Sequence, residues 1–253
     1  MTLTGLRSIV AVVLGLLLSA AGAQDYPREK RWENEVRGNL VVGDAVTLRL
    51  KSGHAFLALY TSTPTAKTGI VLVHGIGVHP DHGVIGILRG ALADRGYTTL
   101  SIQMPVQASD AGAEAYTPAV FDEAVERIAV AAAWLQTRGV KKIVLLSHSM
   151  GSRMSLAYWD KTRNAPYVAW VCLGIPAAFS GLSGMHAPIL DVHGEFDLPA
   201  VRAQAAGRAH AIESIPGSRE VVVAGADHFY NGRETQLVDA IVAFLRAQGM
   251  KAQ

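Results

Sequence analysis

The chain has 253 residues, half of them hydrophobic, with 23 basic and 21 acidic side chains for a formal charge of +2. That length and apolar content suit one large α/β domain better than two small ones, with a core that can be well buried. Only 17% of residues are charged and 7% aromatic, which excludes a disordered tail and a coiled coil. No dense basic stripe is present, so nucleic acid is not an expected partner.

Residues 1–23 read as a targeting signal. Arg7 supplies a positive n-region, Ile9 to Leu18 an apolar run, and Ser19 to Ala23 a small-residue region. Ala21-Gly22-Ala23 fits the A-x-A cleavage pattern and makes Gln24 the expected mature N-terminus. An uncleaved anchor is the alternative, but the apolar run is shorter than the ~20 residues a spanning helix needs. Export to the periplasm or beyond follows as the expected localisation.

Residues 24–40 are polar and charged and read as an irregular lead-in to a single domain over 24–253. Ala45 to Leu50 alternates with period two, and His54 to Tyr60 follows a Lys51-Ser-Gly turn, which predicts an antiparallel hairpin. Gly69 to His74 is a continuous apolar run of the kind that forms a strand buried on both faces. From there strands and helices alternate. Helical spacing over Gly83–Arg95 stops at Gly96, a strand covers Tyr97–Gln103, and 104–117 is a loop. Pro118 to Arg138 is a long amphipathic helix with Pro at its start and Gly139 at its end. Further strands fall at Lys142–Ser147, Tyr167–Leu173, Pro188–His193 and Glu220–Ala224. Helices fall near Gly151, over Leu198–Ser214 and over Glu234–Gln248.

A hairpin followed by β-α units implies a mostly parallel twisted sheet with helices on both faces. The chemistry of such a sheet lies beyond the carboxyl ends of its strands. Ser147-His-Ser-Met-Gly151 sits where the strand ending near Ser147 turns into a helix, the setting of a G-x-S-x-G nucleophile elbow. Serine replaces the first glycine. Ser147 is a rival nucleophile, but the register that puts Gly151 two residues on selects Ser149. His193-Gly-Glu-Phe-Asp197 follows the next-to-last strand, and Gly225-Ala-Asp-His228 follows the last. A serine hydroxyl is a weak nucleophile at neutral pH and needs a base such as His228, which in turn needs an acid to orient it. Asp191, Asp227 and Glu195 are rivals to Asp197 for that role.

From about residue 45 to its end the chain resembles the α/β-hydrolases, whose triad runs in the order Ser149, Asp197, His228. The stretch His74 to His82 is similar to small exported bacterial members of no settled function. The resemblance implies a Ser-His-Asp triad and an oxyanion hole made by the backbone N–H groups of Met150 and Ile76. It also implies no substantial cap domain, since only Gly174 to Ala187 separates the sixth and seventh strands. Phe179, Leu182 and Met185 in that loop are then candidate walls of an open cleft for a small-molecule or lipid-like ester. No metal or organic cofactor is expected. A peptidase or acyltransferase on the same triad, and a non-enzymatic binding protein on the same fold, are the alternatives.

Other chemistry-bearing residues have plainer readings. Cys172, the one cysteine, sits in an apolar run and reads as an inert buried thiol rather than a nucleophile. His79, Asp81 and His82 share one loop, and a polar loop is preferred there over a metal cluster. His148 is expected to point away from the catalytic face. Trp134, Trp159 and Trp170 read as core, and Trp32 has no assignment.

Overall fold

The computed structural model describes residues 24–252, and the expected targeting segment lies outside them. The strands are β1 (Asp44–Arg49), β2 (Ala55–Thr61), β3 (Thr68–Val73), β4 (Thr98–Ile102), β5 (Lys142–His148), β6 (Tyr167–Leu173), β7 (Ile189–Gly194) and β8 (Arg219–Val223). They form one sheet in the order β1-β2-β4-β3-β5-β6-β7-β8. The β2 strand runs antiparallel to both its neighbours, and the other pairings are parallel. The chain moves outward from β3 to β4, then returns past β3 to lay down β5. The loops after β3 and β5 therefore diverge at a switch point in the sheet, where a crevice opens.

The helices are α1 (Tyr26–Asn39), α2 (Gly83–Asp94), α3 (Pro118–Gln136), α4 (Met150–Lys161), α5 (Pro199–Ala203), α6 (Ala205–Ile212) and α7 (Glu234–Ala247). Successive strand residues point to opposite faces, so each apolar run feeds two cores. Val71 and Val73 meet Val120, Ile128 and Met154 of α3 and α4 on one face. Ile70 and Leu72 meet Leu88, Leu92, Leu237 and Phe244 of α2 and α7 on the other. No described helix is long and apolar enough to cross a membrane.

Two expectations need correction. Residues 26–39 are helical, not an irregular lead-in. The Asp25 side chain caps the first turn by accepting from the Arg28 N–H at 2.9 Å, and Glu33 pairs with Lys30 and Arg37 along one face. The helix shows little apolar periodicity because it buries only Val36 and a carboxylate, Glu29. Glu29 is held by the fully buried Arg127 guanidinium at 2.9 Å. The second correction concerns Leu198–Ser214, which divides at Gln204 into the short helices α5 and α6.

Candidate active site

Ser149 leaves β5 with φ 58° and ψ −121°, a conformation that non-glycine residues rarely adopt. Its N–H donates to the Leu173 carbonyl at 2.9 Å. Gly151 explains why the turn can be this tight: a Cβ there would overlap the carbonyl oxygens of His74 and Val73. At the first position of the elbow, Ser147 is buried and its Oγ accepts from the indole N–H of Trp170 at 2.9 Å.

The loops after β5, β7 and β8 bring the three expected side chains together. His228 Nε2 lies 2.9 Å from Ser149 Oγ, and His228 Nδ1 lies 2.6 Å from Asp197 Oδ1. Asp197 also accepts from the N–H groups of Gly194 at 3.1 Å and Leu198 at 2.7 Å. Burial works against its ionised form, but the bond to His228, the charge of that ring and the two amides outweigh burial. The carboxyl is held below its ordinary range. All three residues are buried or nearly so.

The rival acids have other partners. Asp191 is wholly buried on Arg208 at 2.8 Å. Burial raises its pKa to about 6 against the pull of that guanidinium. Asp227 accepts from the N–H groups of Phe229 and Asn231 and so shapes the turn that carries His228. Glu195 accepts from Gly225 N–H at 2.8 Å, tying the loops after β7 and β8 together.

The loop after β3 comes up beside the nucleophile; a Cβ on Gly75 would stand 3.2 Å from Ser149 Cβ. His74, fully buried, organises this loop. Its Nε2 accepts from Met104 N–H at 2.9 Å, so its Nδ1 carries the proton and donates to the Gly75 carbonyl at 2.9 Å. Burial lowers its pKa to about 3, which keeps that tautomer neutral. The Gly75 carbonyl and the Ile76 N–H belong to one planar trans peptide, so turning the carbonyl toward His74 turns the Ile76 N–H the opposite way. Met150 begins α4, where a first-turn N–H has no partner in its own helix.

Several residues fall elsewhere than expected. His148 does not point away from the triad: its Nε2 donates to the His228 carbonyl at 2.9 Å, and the two rings lie 4.7 Å apart. Burial, reinforced by the His228 charge, lowers its pKa to about 4. Phe179, Leu182 and Met185 are half-buried against the core of α3 and α4, with Phe179 5.4 Å from Trp170. Met185 also lines a surface cavity of about 800 Å³ with Trp159, Arg163 and Tyr167, and no triad residue reaches that cavity. Large exposed apolar side chains neighbour the triad residues in the chain: Phe196 and Leu198 flank Asp197, and Phe229 follows His228 with its ring 5.2 Å from the imidazole. Sequence reasoning missed them, although their adjacency to the acid and the base was a usable signal. Cys172 is buried, and burial raises its thiol pKa well above the ordinary value. In the loop after β3, Asp81 is engaged by Arg89 at 2.6 Å, and His79 packs edge-on against His82 and Trp32.

Residues 26–123 match a family described as "Protein of unknown function (DUF3530)". No curated protein matches the chain. Among solved structures, it is similar to an alpha-beta serine hydrolase homologue from Coxiella burnetii. That protein is 21% identical with a TM-score of 0.64, over 81% of this chain and 99% of that one. It is also similar to a serine hydrolase without a lid from Xanthomonas campestris, 16% identical with a TM-score of 0.66, over 82% and 95%. A dienelactone hydrolase from Anabaena variabilis is 20% identical with a TM-score of 0.65, over 81% and 96%. The chain has the α/β-hydrolase fold, with no substantial cap between β6 and β7.

Proposed function

We propose that this protein is an exported serine hydrolase that cleaves carboxylic esters through an acyl-enzyme. The observation that carries the reading is the continuous relay from Ser149 Oγ through both ring nitrogens of His228 to Asp197. In the forward step Ser149 Oγ attacks the acyl carbon while its proton passes to His228 Nε2. The carbonyl π electrons move onto oxygen, and the N–H groups of Met150 and Ile76 receive the oxyanion. Collapse of this intermediate breaks the ester C–O bond, and the alcohol departs with the proton from His228. A water molecule then attacks the acyl-serine, His228 taking its proton, and the carboxylic acid leaves as the serine is restored. Asp197 holds the imidazole in the tautomer with Nδ1–H and stabilises its cation without itself taking the proton. Phe229, exposed with its ring 5.2 Å from that of His228, offers an apolar contact that suits a lipid-like or bulky acyl group better than a charged one.

A fluorophosphonate probe tests the reading on the purified protein beside Ser149→Ala and His228→Ala. The wild type is expected to label and both variants to lose labelling. Loss of the serine or the histidine should lower ester turnover by on the order of 10⁶, and Asp197→Asn should lower it by about 10⁴. Absence of labelling in folded wild-type protein would sink the proposal and favour a binding role for the fold.

A further inference from the structure

We infer that α1 is a strap over the oxyanion loop and that Arg28 is a positioning residue for the Ile76 N–H; this rests on the esterase reading of the site. The loop needs external support. It carries Gly75 and Gly77, the second at φ 68°, and a glycine-rich segment has much conformational freedom to lose. His74 secures the inner side through the Gly75 carbonyl. Arg28 secures the outer side: its Nη2 donates to the Gly77 carbonyl at 3.2 Å. Its Nη1 donates to the Gln107 carbonyl at 2.7 Å. One planar guanidinium thus bridges the loop after β3 to the loop after β4, holding the residue after Ile76 as His74 holds the residue before it. The Tyr116 hydroxyl, largely buried, is approached by the backbone of the same two residues, Gly77 and Gln107.

Arg28 is itself held in place. Its guanidinium lies 4.4 Å over the Trp32 ring, one helical turn on. The start of α1 is pinned where Asp25 N–H donates to the Val106 carbonyl at 2.8 Å. The adjacent residue, Glu29, is anchored on Arg127, whose Nη1 also donates to the Gln103 carbonyl at 2.9 Å. Met104, the next residue, is the one whose N–H fixes His74. Strap and loop therefore share one frame: α1 to Arg127, Arg127 to the end of β4, and from there to His74 and Gly75. The stretch similar to the family of unknown function, residues 26–123, spans both partners of the Arg28–Gly77 contact.

The test compares wild type with Arg28→Met, Arg28→Lys and the exposed control Lys30→Ala. It uses steady-state hydrolysis of p-nitrophenyl acetate and amide hydrogen exchange over residues 75–79. An oxyanion donor is worth roughly 10²–10³ in rate. Displacing one without removing it should lower kcat of Arg28→Met by about tenfold to a hundredfold, with KM within about threefold. Exchange over 75–79 should quicken. Arg28→Lys, with one donor group where the fork had two, should fall between, and Lys30→Ala should match wild type. A kcat for folded Arg28→Met within twofold of wild type, with unchanged exchange, would overturn the strap. If Arg28→Met does not fold, Arg28→Gln takes its place under the same criterion. A wild type that neither labels with fluorophosphonate nor turns over ester fails the esterase reading instead. Exchange alone then decides whether Arg28 holds the loop.

Discussion

Ser147 occupies the first glycine position of the elbow, and its side chain has a partner that glycine could not supply. Trp170 is fully buried, and its indole N–H reaches Ser147 Oγ. Ser147→Gly should still form the elbow, since glycine fits there, but it leaves that N–H without an acceptor. A buried unsatisfied donor costs about 1–3 kcal/mol. Urea unfolding should show a loss of that size with fluorophosphonate labelling retained; an unchanged midpoint would mean that Trp170 finds another acceptor. Gly151 shows the opposite constraint. The carbonyls of Val73 and His74 occupy the space a side chain would need, so no other residue fits without moving the loop that carries Ile76. The requirement for a small residue two positions past the nucleophile is thus a packing contact between the ends of β3 and β5.

At the scale of elements, α1 depends on a buried ionic cluster. Arg127, with no exposed surface, binds Glu29 at 2.9 Å and Glu123 at 2.6 Å. Removing only the cation strands two carboxylates, one of them deeply buried, and breaking a buried pair from one side typically costs about 3–5 kcal/mol. Arg127→Met should lose stability on that order and release α1, which proteolysis near residues 26–39 would report. Adding Glu29→Met should recover much of the loss, because the uncompensated charge is then gone. If the double variant is no more stable than the single, the cost lies in packing and not in the stranded carboxylate.

Over the whole molecule, two buried imidazoles couple stability to pH. Burial lowers the pKa of His74 to about 3 and that of His148 to about 4, whereas in the unfolded chain each titrates near the ordinary histidine value. Well above pH 6.5 both are neutral in either state, and there they contribute no pH dependence. As the pH falls below about 6.5 the unfolded chain takes up protons that the native one refuses, so stability declines until pH 3–4. Asp197, held below its ordinary range, adds to the same decline at the acid end. Asp191, raised to about 6 by burial, takes up its proton in the native state first and offsets part of this loss between pH 6 and 4, leaving a net fall on the order of a few kcal/mol. Thermal melts from pH 7 to 4 should show a steadily falling Tm, with a shallower fall in His148→Gln. A flat profile would mean that these rings are not desolvated as the structure has them.

The alternation of strands and helices was legible because a buried two-faced sheet demands continuous apolar runs, and its covering helices demand apolar spacing of 3.6. The candidate triad was legible for a related reason: strand ends are marked by where those runs stop, and Ser149, Asp197 and His228 each stand just past one. Helix α1 was not legible, because it faces the protein with a carboxylate and one valine, a pattern that local periodicity does not register. Its partner, Arg127, lies nearly a hundred residues away in α3, and the pairing exists only once the sheet has brought β4 and α3 together. The same holds for Arg28 on Gly77 and for His148 beneath His228. Each depends on which loops meet at the switch point. By itself the sequence determined the order of elements and the residues at their ends, since those follow from local hydrophobic pattern and turn chemistry. The tertiary structure decided which distant polar groups meet, because a buried charge or hydrogen bond is set by three-dimensional proximity and leaves no periodic trace in the chain.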